Sequence, residues 1–308
     1  TDDGDSFAAI TGGSGAFSST GVVRGTLAFQ DYFFVDGTSD YRWFDLSDDA
    51  IEDWDAAVTA GSLPVGSVDS TLGCSIAATY RGRVVLSGLD EDPQNWFMSA
   101  SGDPFDWDYS PSTTTQTQAV AGNNADAGLL GDVITALIPY RDDYLIFGGA
   151  NTVEVMAGDP AAGGRIDNIT RGTGIAGPDA WTIDESNTIY FWGNNGLYRM
   201  NPGGFDIQLV SRGKLDKTFA ELDLKGNAIR LFYDPEWHGI HIFINPLSPA
   251  GSPVTQYFYD MRNNAFWADQ YPVAVGPRSA ALFNSPDPEK RKVIIGGFDG
   301  YIREFSDA

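Results

Sequence analysis

The sequence predicts an all-β fold, a β-propeller of about six blades with one short connecting helix. Three observations carry that expectation. Short runs of large apolar and β-branched residues are separated by polar turns, which is the chemistry of strands. The order apolar strand, charged turn, aromatic-rich strand, second turn, strand recurs at a period of roughly 50 residues. Helical periodicity is confined to one segment.

In chain order, the first unit runs from Gly25 to Phe29, turns at Gln30-Asp31 into Tyr32 to Val35, and continues in Tyr41 to Phe44. The second places Ser75 to Thr79 before the turn Tyr80-Arg81-Gly82-Arg83, then Val84 to Ser87 and Trp96 to Ser99. The third is the most compact. Val133 to Ile138 leads through Tyr140-Arg141-Asp142-Asp143 to Tyr144–Phe147, four large apolar residues suited to an interior strand. Gly148-Gly149-Ala150-Asn151 then turns into Thr152 to Met156, and Gly158-Asp159-Pro160 ends the run with residues that cannot extend a sheet interior.

The fourth unit is Trp181 to Ile183, the turn Asp184 to Asn187, Thr188 to Trp192 and Gly196 to Met200. Ser211 to Leu222 then departs from the β pattern: Leu215, Phe219 and Leu222 share a helical face and Gly226-Asn227 stops it, so a short helix joins two blades. The fifth unit is Ile229 to Tyr233, the turn Asp234 to Gly239, Ile240 to Ile244 and Thr255 to Asp260. The sixth is Ser279 to Phe283, a turn through Pro286 to Lys292, Val293 to Gly297 and Tyr301 to Phe305. A small meander cannot bury both faces alone, and radial packing of six leaves only short protected edges. The same pattern also fits a β-sandwich or two small barrels with insertions.

The chain has 308 residues and no composition break marking a linker, so residues 1–308 are expected to form a single domain. A hydrophobic share of 42% is ample for a core, and 36 Gly with 16 Pro suits many turns. The chain begins at Thr1, so the expectation is a missing or processed N-terminus. No apolar run approaches the roughly 20 residues that span a bilayer. The single cysteine, Cys74, excludes an intrachain disulfide and reads as a small buried apolar residue.

The formal net charge of -23 argues against gripping nucleic acid through its phosphates, which needs clustered cations. Thr1 to Tyr109 carries only Arg24, Arg42, Arg81 and Arg83, whereas Lys214, Lys217, Lys225, Lys290 and Lys292 all lie in the last third. Asp45 to Asp55 is the densest acidic stretch, read as a solvated loop or short turn.

Catalytic and metal constellations fail. His238 and His241 are the only histidines; on a strand their spacing points the rings to opposite faces, and no third ligand accompanies them. No Gly-x-Ser-x-Gly elbow is present, and no Asp-x-Asp pattern repeats to hold calcium, so neither catalytic residue, cofactor nor metal is expected. Carboxylate pairs of the glycosidase kind stay open, because 42 acidic residues always offer pairs. Ser101 to Trp107 resembles the Asp-box turn of sialidase-type propellers but has Phe105 where glycine belongs and no copies in other blades. It reads instead as an Asx/Pro turn with Trp107 packed beneath.

Asn95-Trp96-Phe97-Met98-Ser99 followed by Gly102-Asp103-Pro104-Phe105-Asp106-Trp107 resembles a signature of tailed-bacteriophage structural proteins. Asp132 to Leu137, Asp143 to Gly148, Gly174 to Pro178, Tyr190 to Gly193 and Gly196 to Arg199 follow in the order seen in phage tail-nozzle and head-to-tail stabilisation proteins. The match covers roughly Cys74 to Leu222. The resemblance implies a non-enzymatic virion component of the tail or neck, forming a homo-oligomeric ring, six-fold as in nozzles, below the portal and adaptor. An acidic ring suits a DNA conduit, since a like-charged lumen lets the duplex slide without specific binding. Asp45 to Gly73 and Ser110 to Gly131 exceed what a hairpin needs and are expected to be mobile contact makers that order on a neighbour. The rival reading is an extracellular carbohydrate-binding or carbohydrate-hydrolysing propeller, with Trp54, Trp96, Trp107, Trp237 and Trp267 as sugar platforms.

Overall fold

The apolar runs become strands at the expected places, shifted by a residue or two, in a computed structural model that describes residues 9–18, 21–201, 203–247, 255–271, 276–285 and 287–305. Thr1 and Pro286, which enter the expectations above, lie outside the described residues. The protein is a six-bladed β-propeller. Blade one is β1 (Arg24–Ala28), β2 (Asp31–Val35), β3 (Arg42–Asp45) and β4 (Ala50–Asp53); blade two is β5 (Ile76–Tyr80), β6 (Arg83–Ser87), β7 (Trp96–Met98) and β8 (Val120–Ala121). Blade three is β9 (Ile134–Tyr140), β10 (Tyr144–Gly149), β11 (Val153–Ala157) and β12 (Arg165–Thr170); blade four is β13 (Trp181–Ile183), β14 (Ile189–Gly193), β15 (Gly196–Asn201) and β16 (Asp206–Leu209). Blade five is β17 (Asn227–Asp234), β18 (Gly239–Pro246), β19 (Gln256–Asp260) and β20 (Ala265–Asp269), and blade six is β21 (Pro277–Phe283), β22 (Lys292–Gly297) and β23 (Ile302–Glu304). Each sheet is an antiparallel meander in which consecutive strands pair.

Five blades thus have a fourth strand that the repeat unit lacked. β4, with sequence AIED, and β12, RIDNIT, are half-exposed and charged, so they carry no apolar run to announce them. Charge on an outer strand also protects an edge from pairing with another chain. The acidic stretch Asp45 to Asp55 is therefore a hairpin edge, with Asp48, Asp49, Glu52, Asp53 and Asp55 exposed. The expected helix at Ser211 to Leu222 shrinks to α1 (Asp216–Ala220), because Gly213 at φ 76° turns the chain ahead of it. Phe219 is its anchor, edge-on to Trp192, Tyr257 and Phe266.

Where the sequence shows no internal boundary, contacts gather the described chain into two compact units that divide between Gly174 and Ile175. In residues 9–174, β1 packs on β5 and β5 on β9. β6 shows why blade two sits well there: Val84 and Leu86 join one apolar cluster with Phe33, Trp54 and Trp107, while Val85 joins another with Leu145, Phe147 and Met156. Alternate side chains of one strand thereby fill both faces. Arg83 begins the same strand fully buried. Its guanidinium donates to the Ser99, Gln116 and Gln118 carbonyls and, through Nε at 3.0 Å, to the Asp159 carboxylate of the β11–β12 connection. In residues 175–305, β13 packs on β17 and β17 on β21.

The two long connections are fastened by their own chain. Buried Trp54, Tyr41 Oη donating to the Pro64 carbonyl, and Glu91 accepting from the Val68 and Asp69 amides at 2.9 and 2.7 Å order the first. β8 and the Gln116 and Gln118 carbonyls order part of the second. Contacts within the single chain thus hold the first connection and part of the second against the blades, while residues 112–117 of the second are exposed.

Candidate functional site

The five tryptophans considered as platforms separate into two groups. Trp54, Trp96 and Trp107 are buried, so the platform reading is corrected for these three: their rings fill the core. The motif turn explains two of them. Asp103 Oδ1 accepts from the Phe105 amide at 2.9 Å, forming the expected Asx turn, and the Pro104 carbonyl receives both the Trp107 and the Trp54 indole N–H, at 2.8 and 3.0 Å. One carbonyl thus ties blade two's loop to the segment leaving blade one. Cys74 is buried as expected, and burial pushes its thiol up to about 12.

Trp237 and Trp267 are 42% and 59% exposed and line one hollow of about 380 Å³ with His241, Phe258, Asp260, Asp269 and Phe305. The hollow is built on blade five. β17 ends at Asp234, whose carboxylate accepts from the Glu236 and Trp237 amides at 2.9 and 3.1 Å and so shapes the turn that presents Trp237. His238 in that turn takes φ 49°, and Gly239 restarts the sheet. A Cβ on Gly239 would lie 2.2 Å from the Phe258 ring, so only glycine fits there. Trp267 alternates outward from β20, the edge strand.

The histidines do not act together. His238 Nδ1 meets Tyr233 Oη at 3.1 Å, while His241 Nε2 meets Asp234 Oδ2 at 3.2 Å, its ring stacked on Phe243, tilted against Phe258 and edge-on to Phe305. Burial by itself would raise the Asp234 carboxyl, but the His241 hydrogen bond, the Trp237 amide, the His241 charge and the Glu236 amide hold it below its ordinary range. Among the described residues no group of three His, Cys, Asp or Glu could hold a metal ion.

The hollow's two carboxylates differ. Asp260 is occupied by the Asn263 side chain at 2.6 Å and by the Arg262 and Asn263 amides, which lower it. The Asp269 carboxylate makes no hydrogen bond among the described residues, and burial raises its pKa despite the nearby His241. The lining has no serine, threonine or cysteine to act as nucleophile. Two indole faces beside carboxylates can stack a flat ligand face and accept its hydroxyl or ammonium protons. The sequence grouped these two tryptophans with the three buried ones; the distinguishing signal was position, Trp237 in a polar turn and Trp267 in a charged outer strand.

No protein-family model and no curated protein matches the sequence. Solved structures match at the level of fold. The extracellular domain of a hybrid two-component system from B. thetaiotaomicron superposes with a TM-score of 0.55 at 10% identity over 90% of this chain and 32% of that one, so this chain spans about a third of that relative. The Dos1 propeller gives a TM-score of 0.51 at 12% identity, covering 94% of this chain and 82% of its own. A chain of the mitotic checkpoint complex gives 0.52 at 11% identity, covering 92% and 75%. At such identities the likeness is one of architecture, and it identifies the chain as a β-propeller.

Proposed function

We propose that this chain is a non-enzymatic structural component of a tailed-phage virion, building a six-fold ring in the tail or neck that continues the DNA channel below portal and adaptor. The observation that carries this reading is where the phage-like segment goes. Trp96, Phe97 and Trp107 are buried, Gly102 adopts φ 83°, and Asp103 and Pro104 close the turn that fastens Trp54. A motif so placed, with its tryptophans inside and its turn closed on its own chain, suits a scaffold role. The net charge of -23, with carboxylates along the β3–β4 edge, favours DNA that passes by over DNA that is held. One heterologous contact repeated around an axis would close the ring. Labelling the protein in purified phage particles tests this: density at a capsid vertex or tail tube supports it, whereas density over the shell, or none in the particle, overturns it.

A second reading rests on the Trp237 and Trp267 hollow. An extracellular carbohydrate-binding propeller would stack sugar rings on these indoles and hydrogen-bond hydroxyls to Asp269. Oligosaccharide titration followed by tryptophan fluorescence tests it. Saturable quenching abolished in W237A and W267A favours this reading, and no quenching removes it.

A further inference from the structure

A second hollow in residues 175–305 has the opposite character. About 450 Å³ in volume, it is lined by Arg199, Gln208, Arg212, Lys214, Tyr259 and Asn264, with apolar flanks. It draws three cations into one place in a chain that has 19 Lys and Arg against 42 Asp and Glu. None of the three is in an ion pair among the described residues.

Neutral groups hold them instead. Arg199 Nε and Nη2 donate to Gln208 Oε1 at 3.1 and 2.6 Å, and Gln208 Nε2 donates to Asp206 at 2.8 Å, so an amide stands between the guanidinium and the nearest carboxylate in this network. Lys214 Nζ donates to the Val210 carbonyl at 3.1 Å and to Asn264 Oδ1, which the Tyr259 hydroxyl also contacts at 2.9 Å. The ammonium sits over the Tyr259 and Phe266 rings at 5.4 and 5.3 Å, and desolvation lowers its pKa. Asp216 is turned to the Gly213 amide, and Arg212 makes no hydrogen bond among the described residues. Much of the donor capacity of the two guanidiniums is therefore unused. Cations gathered without counter-charges repel one another and are stabilised by an anion.

We propose that this hollow binds a small oxyanion carrying two or more negative charges, through phosphate or carboxylate oxygens. Its volume is that of a small-ligand site. Three cations around a concavity, in place of a stripe along a surface, fit a compact anion better than a nucleic-acid backbone. The geometry gives the roles: Arg199, held by Gln208, offers a planar fork; Lys214, held by the aromatic rings and Asn264, offers a point charge; and Arg212 closes over the bound ion. The site shares no residue with the tryptophan hollow and does not depend on assembly into a ring.

Calorimetric titration of the full chain with pyrophosphate, and separately with citrate, tests the proposal. The expected result is saturable one-to-one binding of at least one of them, weakened by added salt. R199Q, R212Q and K214M should each lower affinity about tenfold or more, as loss of a hydrogen bond to a charged group does. Pyrophosphate alone assigns phosphate oxygens; citrate alone assigns carboxylates. R171Q, in the other unit, should leave affinity unchanged. R212Q keeps the test open if K214M fails to fold, because the Arg212 side chain makes no hydrogen bond among the described residues. Absence of saturable binding by either anion, or an equal loss in R171Q, overturns the proposal.

Discussion

Residues 9–174 and residues 175–305 each contain three blades but use their polar and aromatic side chains differently. In the first, Trp54, Trp96, Trp107 and Arg83 are buried, and hydrogen bonds run from blade to blade: Thr26 to Thr79, Tyr80 to the Asp143 and Gly158 carbonyls, Arg83 to Asp159. In the second, blades are also joined, by the Tyr233 amide to Thr182 Oγ1 and by Asn245 to the Pro277 carbonyl, and Trp192 is buried, but Trp237 and Trp267 are exposed and line a hollow, all five lysines reside, and blade six has three strands among the described residues. The difference teaches that one architecture can turn the same residue types to filling the core or to lining a surface hollow, according to which face of a strand they occupy.

Breaking the fastening should have the largest effect. R83M leaves Asp159 and three carbonyls without their donor and is expected to remove about 3–5 kcal/mol of stability, read as a lower urea midpoint. An unchanged midpoint would show that the clasp is not what distinguishes the first unit. W107A should cost a similar amount, about 3–5 kcal/mol, through the cavity it leaves. W267A, on an exposed edge strand, should shift stability by no more than about 0.5 kcal/mol. Equal losses in W107A and W267A would erase the comparison.

In the second unit, D234N should cost about 1–3 kcal/mol by weakening a buried carboxylate's hydrogen bonds to His241 and two amides. The pH dependence fixes the sign. The Asp234 folded pKa is lowered, so its stabilisation is complete above its unfolded value of 3.8 and fades as pH falls through the lower folded value. Acid unfolding scans should therefore show wild type and D234N converging at low pH. The smallest effect belongs to Asp269, whose folded pKa is raised. Ionised Asp269 is destabilising at neutral pH, and that penalty is relieved as pH falls through the raised value towards 3.8. D269N should melt slightly higher than wild type at pH 7 and lose that advantage in acid; a lower melting temperature at pH 7 would contradict the burial argument.

Much of this fold is legible in the sequence because the inner strands are continuous apolar runs: VVL in β6, LIF in β10 and IYFW in β14 need burial on both faces. The outer strands are not legible, because β4, β12 and β16 are charged or polar and take their pairing from the strand before them. Arg83 reads as a turn residue, and only its position directly before Val84-Val85-Leu86 hinted that its side chain is interior. The two hollows are the least legible part. Trp237 and Trp267 resemble core tryptophans in composition, and the basic hollow joins Arg199 and Lys214 to Tyr259 and Asn264, residues far apart in sequence that only the sheet brings together.

The Arg83 clasp also governs how the first unit comes apart. Opening blade two alone would expose the guanidinium and strand Asp159 on blade three, so the two blades lose structure in one step and not in sequence. Amide hydrogens in β6 and β11 should then exchange with solvent at a common opening free energy. A chain cut between these blades would separate the two halves of one electrostatic joint, whereas a cut at Gly174 would leave that joint intact.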